Sequence, residues 1–130
     1  MFQIFLPNGQ TILADVAATP RERATGLSNI PFLPQGRGML LAFPDVGTHL
    51  ITTKRMRFPL DILWLGPTKQ ITWWVSECGG VYPWKVGDGG TYTPKGVSQW
   101  VLEIGALEIR RQGLKLGDTL RWAVVRTWPF

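Results

Sequence analysis

The sequence predicts a mainly β (α+β) fold, a compact and mostly antiparallel β-barrel or sandwich carrying two short helices. Three observations predict it. Glycine (15) and proline (10) are plentiful in 130 residues, which fits many tight turns between short elements. About eight short runs read as strands against two short helical segments. The helices do not alternate with the strands, so a doubly wound parallel sheet is not expected. The length fits one domain spanning 1–130, able to bury roughly two thirds of its unfolded surface.

The elements follow in order. Phe2–Leu6 and Thr11–Ala17 flank Pro7-Asn8-Gly9-Gln10, and Asn-Gly favours a hairpin because both residues tolerate positive φ. Thr19, Pro20 and Glu22 form a capping box at a helix start, and Gly26 suits a left-handed end. A proline- and glycine-rich loop runs from Asn29 to Gly38. Met39–Phe43, Leu50–Arg57, Leu60–Leu65, Ile71–Glu77, Ser98–Ile104 and Thr119–Val125 read as strands. Gly79 to Val97 reads as a functional loop or one hiding a short strand. Ala106–Gln112 reads as the second helix, ended by Gly113.

Several function classes are disfavoured at once. The one cysteine, Cys78, allows no internal disulfide and leans towards a reducing compartment. The N-terminus has no basic region, apolar core or cleavage site of a signal peptide, and no run is long enough to span a membrane. The expected location is cytoplasmic. With one His (His49) and one Cys, a zinc site is not expected, and no metal or other cofactor is assigned. Cys78 reads as a structural thiol and not as a nucleophile. The net charge of +5 permits a polyanionic partner without requiring one.

Two carboxylates stand inside apolar strands. Alternation puts Asp61, Leu63 and Leu65 on one face and Leu60, Ile62 and Trp64 on the other. Glu103 lies between Leu102 and Ile104. Buried carboxylates are costly unless paired, so a cation is expected beside each, with Lys54 and Arg23 as candidates. Seven tryptophans are unusual. Trp64, Trp100 and Trp122 are in phase with aliphatic neighbours and read as core. Trp73 and Trp74 must point to opposite faces. Trp84, in the long loop with Tyr82, Lys85 and Tyr92, suits stacking on sugar rings or bases.

Six segments together resemble the domain of unknown function 192 family. They are Ala14-Asp15-Val16-Ala17, Glu22-Arg23-Ala24-Thr25-Gly26-Leu27, Gly38-Met39-Leu40-Leu41-Ala42-Phe43, Pro59-Leu60-Asp61-Ile62, Val101-Leu102-Glu103 and Gly113-Leu114-Lys115-Leu116-Gly117-Asp118. The resemblance runs from about Ala14 to Leu120. It implies a compact β-rich, barrel-like domain, in a family without an established common activity and with many exported members. One stretch departs from the family pattern. Where relatives usually read Trp-Met-Lys-Asn-Thr, this chain reads Thr52-Thr53-Lys54-Arg55-Met56, keeping only the lysine.

Three functions remain open. The first is a non-enzymatic module binding a carbohydrate or another small polar ligand through Lys54, Asp61, Glu103, Arg23, Trp84 and Tyr82. The second is a single-stranded nucleic-acid binder using Arg55 and Arg57, which share a strand face, together with Arg121. The third is a hydrolase with Asp61 and Glu103 as paired carboxylates. Binding is favoured over catalysis.

Overall fold

The computed structural model describes residues 1–78 and 90–125. Trp84, Tyr82 and Lys85 of the long loop, and Arg126 and Trp128 near the end, lie outside the described residues.

The hairpin forms as its turn chemistry dictates. Strand β1 (Phe2–Phe5) pairs antiparallel with β2 (Thr11–Ala17), and Gly9 takes φ +87° in the turn. Helix α1 (Pro20–Thr25) carries the full capping box, with Thr19 and Glu22 each bonding the other's backbone N–H. Gly26 ends it at φ +48°, ψ −126°, positive in φ but outside the left-handed helical well. Strand β3 (Arg37–Gly47) runs longer than expected and pairs parallel with β2, the connection crossing over through α1.

After β4 (Ile51–Thr52) the expected strand Leu50–Arg57 stops. The Met56 N–H donates to the Thr53 carbonyl, closing a turn with Lys54 and Arg55 at its tip. Thr53 is buried and bonds the Gly90 carbonyl through both its N–H and its hydroxyl. Strands β5 (Leu60–Leu65), β6 (Ile71–Cys78), β7 (Thr91–Tyr92) and β8 (Ser98–Gly105) follow. Helix α2 (Glu108–Gln112) ends at Gly113 in the left-handed conformation, and β9 (Arg121–Val124) completes the described elements.

Seven strands form one mixed sheet in the order β6-β5-β8-β3-β2-β1-β9, and β4 pairs with β7 separately. Of the described pairs, only β2–β3 is parallel. The sheet curls without closing into a barrel ladder. Its two edges meet at one bridge, Gln70 to Thr119, beside hydrogen bonds joining Ile71 to Asp118 and Gly117 and Leu120 to Lys69.

Two hydrophobic clusters lie on the two faces of this sheet. One, inside the curl, gathers Leu40, Leu63, Leu65, Leu102, Ile104 and Leu120 with other buried side chains. The other gathers Leu41, Leu60, Ile62, Trp64, Val101 and Cys78, covered by Leu27 after α1 and by Ile51 and Met56 around β4. Strand β5 contributes alternate residues to both clusters, so all six of its residues are buried. Trp64 is core, its indole N–H donating to the His49 carbonyl at 2.8 Å. Trp100 and Trp122, expected in the core, are half-buried and meet edge-on at 5.1 Å against the first cluster. Trp73 packs on the second cluster, while Trp74 on the opposite face is 40% exposed.

Candidate functional site

Asp61 is fully buried, and its partners are not the expected cations. Oδ1 accepts from the Ser76 hydroxyl at 2.6 Å and the Glu77 N–H at 2.9 Å, and Oδ2 accepts from the Ile109 N–H at 2.9 Å. The register explains the arrangement. Leu60 faces Cys78 and Ile62 faces Val75, so β6 fits an extra residue opposite Asp61. Glu77 takes φ +57° there, which turns its N–H towards the carboxylate. Asp61 therefore fastens the bulge of β6 and the first turn of α2 to the central sheet. Lys54 is exposed on the turn after β4 and makes no ion pair among the described residues.

Glu103 stands on the other side of the sheet. In the β5–β8 ladder Asp61 faces Ile104 and Glu103 faces Ile62. Ile104 belongs to the cluster inside the curl and Ile62 to the cluster outside it. Their side chains therefore project to opposite faces. The paired-carboxylate arrangement expected of a hydrolase is not formed.

Beneath the end of α1, Glu103 reaches a cleft of about 640 Å³. Its walls come from α1 and the residues after it, from β3, and from the β4 segment with its turn. Glu103 is 4% exposed and has neither hydrogen bond nor ion pair among the described residues. Burial pushes its carboxyl up to about 7. Gly26 leaves room beside it. A Cβ there would sit 3.5 Å from the Glu103 Oε1.

Arg23, Lys54 and Arg55 line the same cleft. Arg23 is pinned in place. Its Nη1 donates to the Ala18 carbonyl at 2.6 Å and the Ala42 carbonyl at 2.9 Å, and the guanidinium lies 4.9 Å from the Phe43 ring centre. The His49 ring stacks on Phe43 at 3.8 Å, and the His49 Nε2 lies 2.9 Å from the Asp45 carbonyl oxygen. Arg23 and His49 therefore both pack on the Phe43 ring. Thr25, Thr52 and Thr91 bring hydroxyls, and Leu27, Leu41 and Met56 bring apolar wall. Among the described residues, no three His, Cys, Asp or Glu side chains gather as metal ligands.

Of the residues singled out from sequence, the cleft brings together Arg23, Lys54 and Glu103, with Arg55 joining them. It leaves out Asp61. Arg55 and Arg57 do not share a strand face, because residues 53–59 turn before β5. Arg121 belongs to edge strand β9, where its guanidinium lies 5.7 Å from the Phe5 ring centre. Phe43, Thr25, Thr52 and Met56 were not singled out as site residues. The sequence signal for Thr52 and Met56 was the departure from the family pattern at Thr52–Met56, since that segment supplies one wall.

This mixed sheet is the fold of an uncharacterised family. The family model of domain of unknown function 192, described as "Uncharacterized ACR", matches residues 4–122, and the chain belongs to that family. A crystal structure of a protein of unknown function from Novosphingobium aromaticivorans is similar, with TM-score 0.80 and 23% identity over 93% of this chain and 83% of that one. A candidate transcription regulator from Sinorhizobium meliloti superposes with TM-score 0.79 at 21% identity, over 93% and 91% of the two chains. These likenesses establish the fold. Comparison with curated proteins returns no match. Among the described residues no helix is long and apolar enough to cross a membrane.

Proposed function

We propose that the protein is a small-molecule binding module and that the cleft above Glu103 holds its ligand. One observation carries this reading. A carboxyl group nine-tenths buried, with no partner among the described residues, opens into a concave space. Burying an unsatisfied carboxyl costs stability, and a bound hydroxyl or amine would offset that cost. The cleft volume lies within the usual range for ligand sites, roughly 300–1,000 Å³. Its mixture of apolar wall with a few convergent polar groups is also that of a ligand site.

The ligand is small and polar, and a carbohydrate fits the hydroxyl-rich lining. The nucleic-acid reading has less support, since Arg55 and Arg121 belong to separate parts of the fold. The paired-carboxylate hydrolase has none, given the opposite faces of Asp61 and Glu103.

Backbone amide shifts recorded while a mixed set of sugars, sugar acids and amines is added would test the reading. Shifts concentrated at Arg23–Ser28, Thr52–Met56 and Glu103 are expected from at least one compound. Shifts that fall only elsewhere, or none with any compound, would overturn it.

A further inference from the structure

The charges around the cleft narrow the ligand class, and this step rests on the binding reading above. Three cations line the space, Arg23 from α1 and Lys54 and Arg55 from the turn after β4. Against them stands one carboxyl, Glu103. Among the described residues none of the three cations is in an ion pair, because the ion pairs found join Arg37 to Asp15 and Arg111 to Glu108. The neighbouring Glu22 does not face the cleft; its carboxylate accepts from the Ala18 and Thr19 N–H groups.

The cations and the carboxyl are separated in depth. Lys54 and Arg55 are exposed, while Glu103 is buried. Arg23 is half-buried and already oriented by two carbonyls, so little side-chain entropy is lost when a ligand meets it. The Phe43 ring is already engaged by Arg23 and His49, so little of the lining is left for ring stacking. Recognition then falls to charge at the rim and hydrogen bonds at the floor. Thr25 and Thr91 add hydroxyls without a described hydrogen-bond partner.

We infer that the cleft takes a small polyhydroxylated anion, a sugar acid or a sugar phosphate, whose carboxylate or phosphate meets Lys54 and Arg55 and whose hydroxyls reach Glu103. Arg and Lys recognise both anionic groups by charge-assisted hydrogen bonds. The floor carboxyl accepts from hydroxyls, and in its charged form it repels an anion, which fixes the ligand's orientation.

Calorimetric titration at pH 7 and low salt with glucuronate, glucose 6-phosphate and glucose tests the inference on the full chain. At least one anion is expected to bind tenfold or more tightly than glucose, and which one binds identifies the anionic group. The double variant Lys54→Ala, Arg55→Ala should abolish that preference. Both positions are exposed, and an unchanged amide spectrum outside the cleft would verify its fold. Glucose binding as tightly as the anions, with shifts in the cleft, would overturn the anion inference and leave the binding reading standing. An anion preference surviving the double variant would overturn the assignment to Lys54 and Arg55. No binding by any of the three, with a different compound shifting the cleft amides, would likewise overturn the inference alone. No cleft shift with any compound would overturn both.

Discussion

Burial pushes the Glu103 carboxyl from 4.5 up to about 7, so near neutral pH its charged and neutral forms are both present. The native state then holds a proton that the unfolded chain releases between these two values. This group's contribution to stability is fully present below about 4.5, falls as pH rises through the window, and levels off above about 7. Glu103→Gln removes the titration. The variant should gain stability relative to wild type at pH 8, by at most about 4 kcal/mol at roughly 1.4 kcal/mol per unit over the shift from 4.5 to about 7. The difference should shrink at pH 4. Urea unfolding at the two pH values measures it, and a Gln variant that gains nothing at pH 8 would contradict the assignment. Substitution of Asp61 should have the reverse effect on stability, because its two oxygens satisfy three donors. Asp61→Ala leaves the Glu77 and Ile109 N–H groups and the Ser76 hydroxyl without their acceptor. It should cost several kcal/mol in the same experiment, at about 1–3 kcal/mol per buried unsatisfied group. A loss under about 1 kcal/mol would show that other acceptors replace it.

At the scale of elements, the cleft depends on two short pieces of chain that present its cations. Helix α1 has six residues and no fully buried side chain, so its caps matter more than its packing. Thr19→Ala removes the hydroxyl that accepts from the Glu22 N–H and should cost about 1 kcal/mol. The amide shifts of Arg23–Ser28 should move with it, and an unchanged stability would mean that the helix is held otherwise. Much of this scale was legible in the sequence. The Asn-Gly hairpin, the capping box and the two-faced pattern of Leu60–Leu65 all carry local signatures of residue type. The turn at Thr53–Met56 was not legible, because it holds no glycine, proline or asparagine. Its cause is tertiary, since Thr53 is drawn down onto the Gly90 carbonyl. The partners of Asp61 were hidden for a related reason. Two of the three are backbone N–H groups, placed by a bulge and a helix start and available from any residue but proline. Glu103 was visible as a carboxylate in an apolar strand, and the expected cation was wrong because the strand register turns it into a cleft instead.

For the whole molecule, the described sheet is a curled ribbon whose ends are stitched at one place. Leu120, Ile71 and Leu63 share the cluster inside the curl, so the seam between β6 and β9 closes over the same core that β5 and β8 build. The Ile71, Gly117 and Leu120 amides donate across this seam. They should exchange with solvent as slowly as the amides of β5 and β8, as expected of one cooperative unit. Fast exchange at these three amides alone would mean that the curl opens without global unfolding. Closure bears on the site only indirectly. It holds β5 and β8 between two packed layers, and that packing keeps Glu103 away from bulk water.

The cleft reading therefore turns on the ionisation of one side chain. Its most direct measurement is the pH titration of the Glu103 side-chain carboxyl carbon by NMR in the ligand-free protein. A midpoint near 7 is the predicted result, the mark of a buried carboxyl that no charge or hydrogen bond holds down. A midpoint near the ordinary 4.5 would show that water or a cation already satisfies the group, and would contradict its role as a site floor without a partner among the described residues.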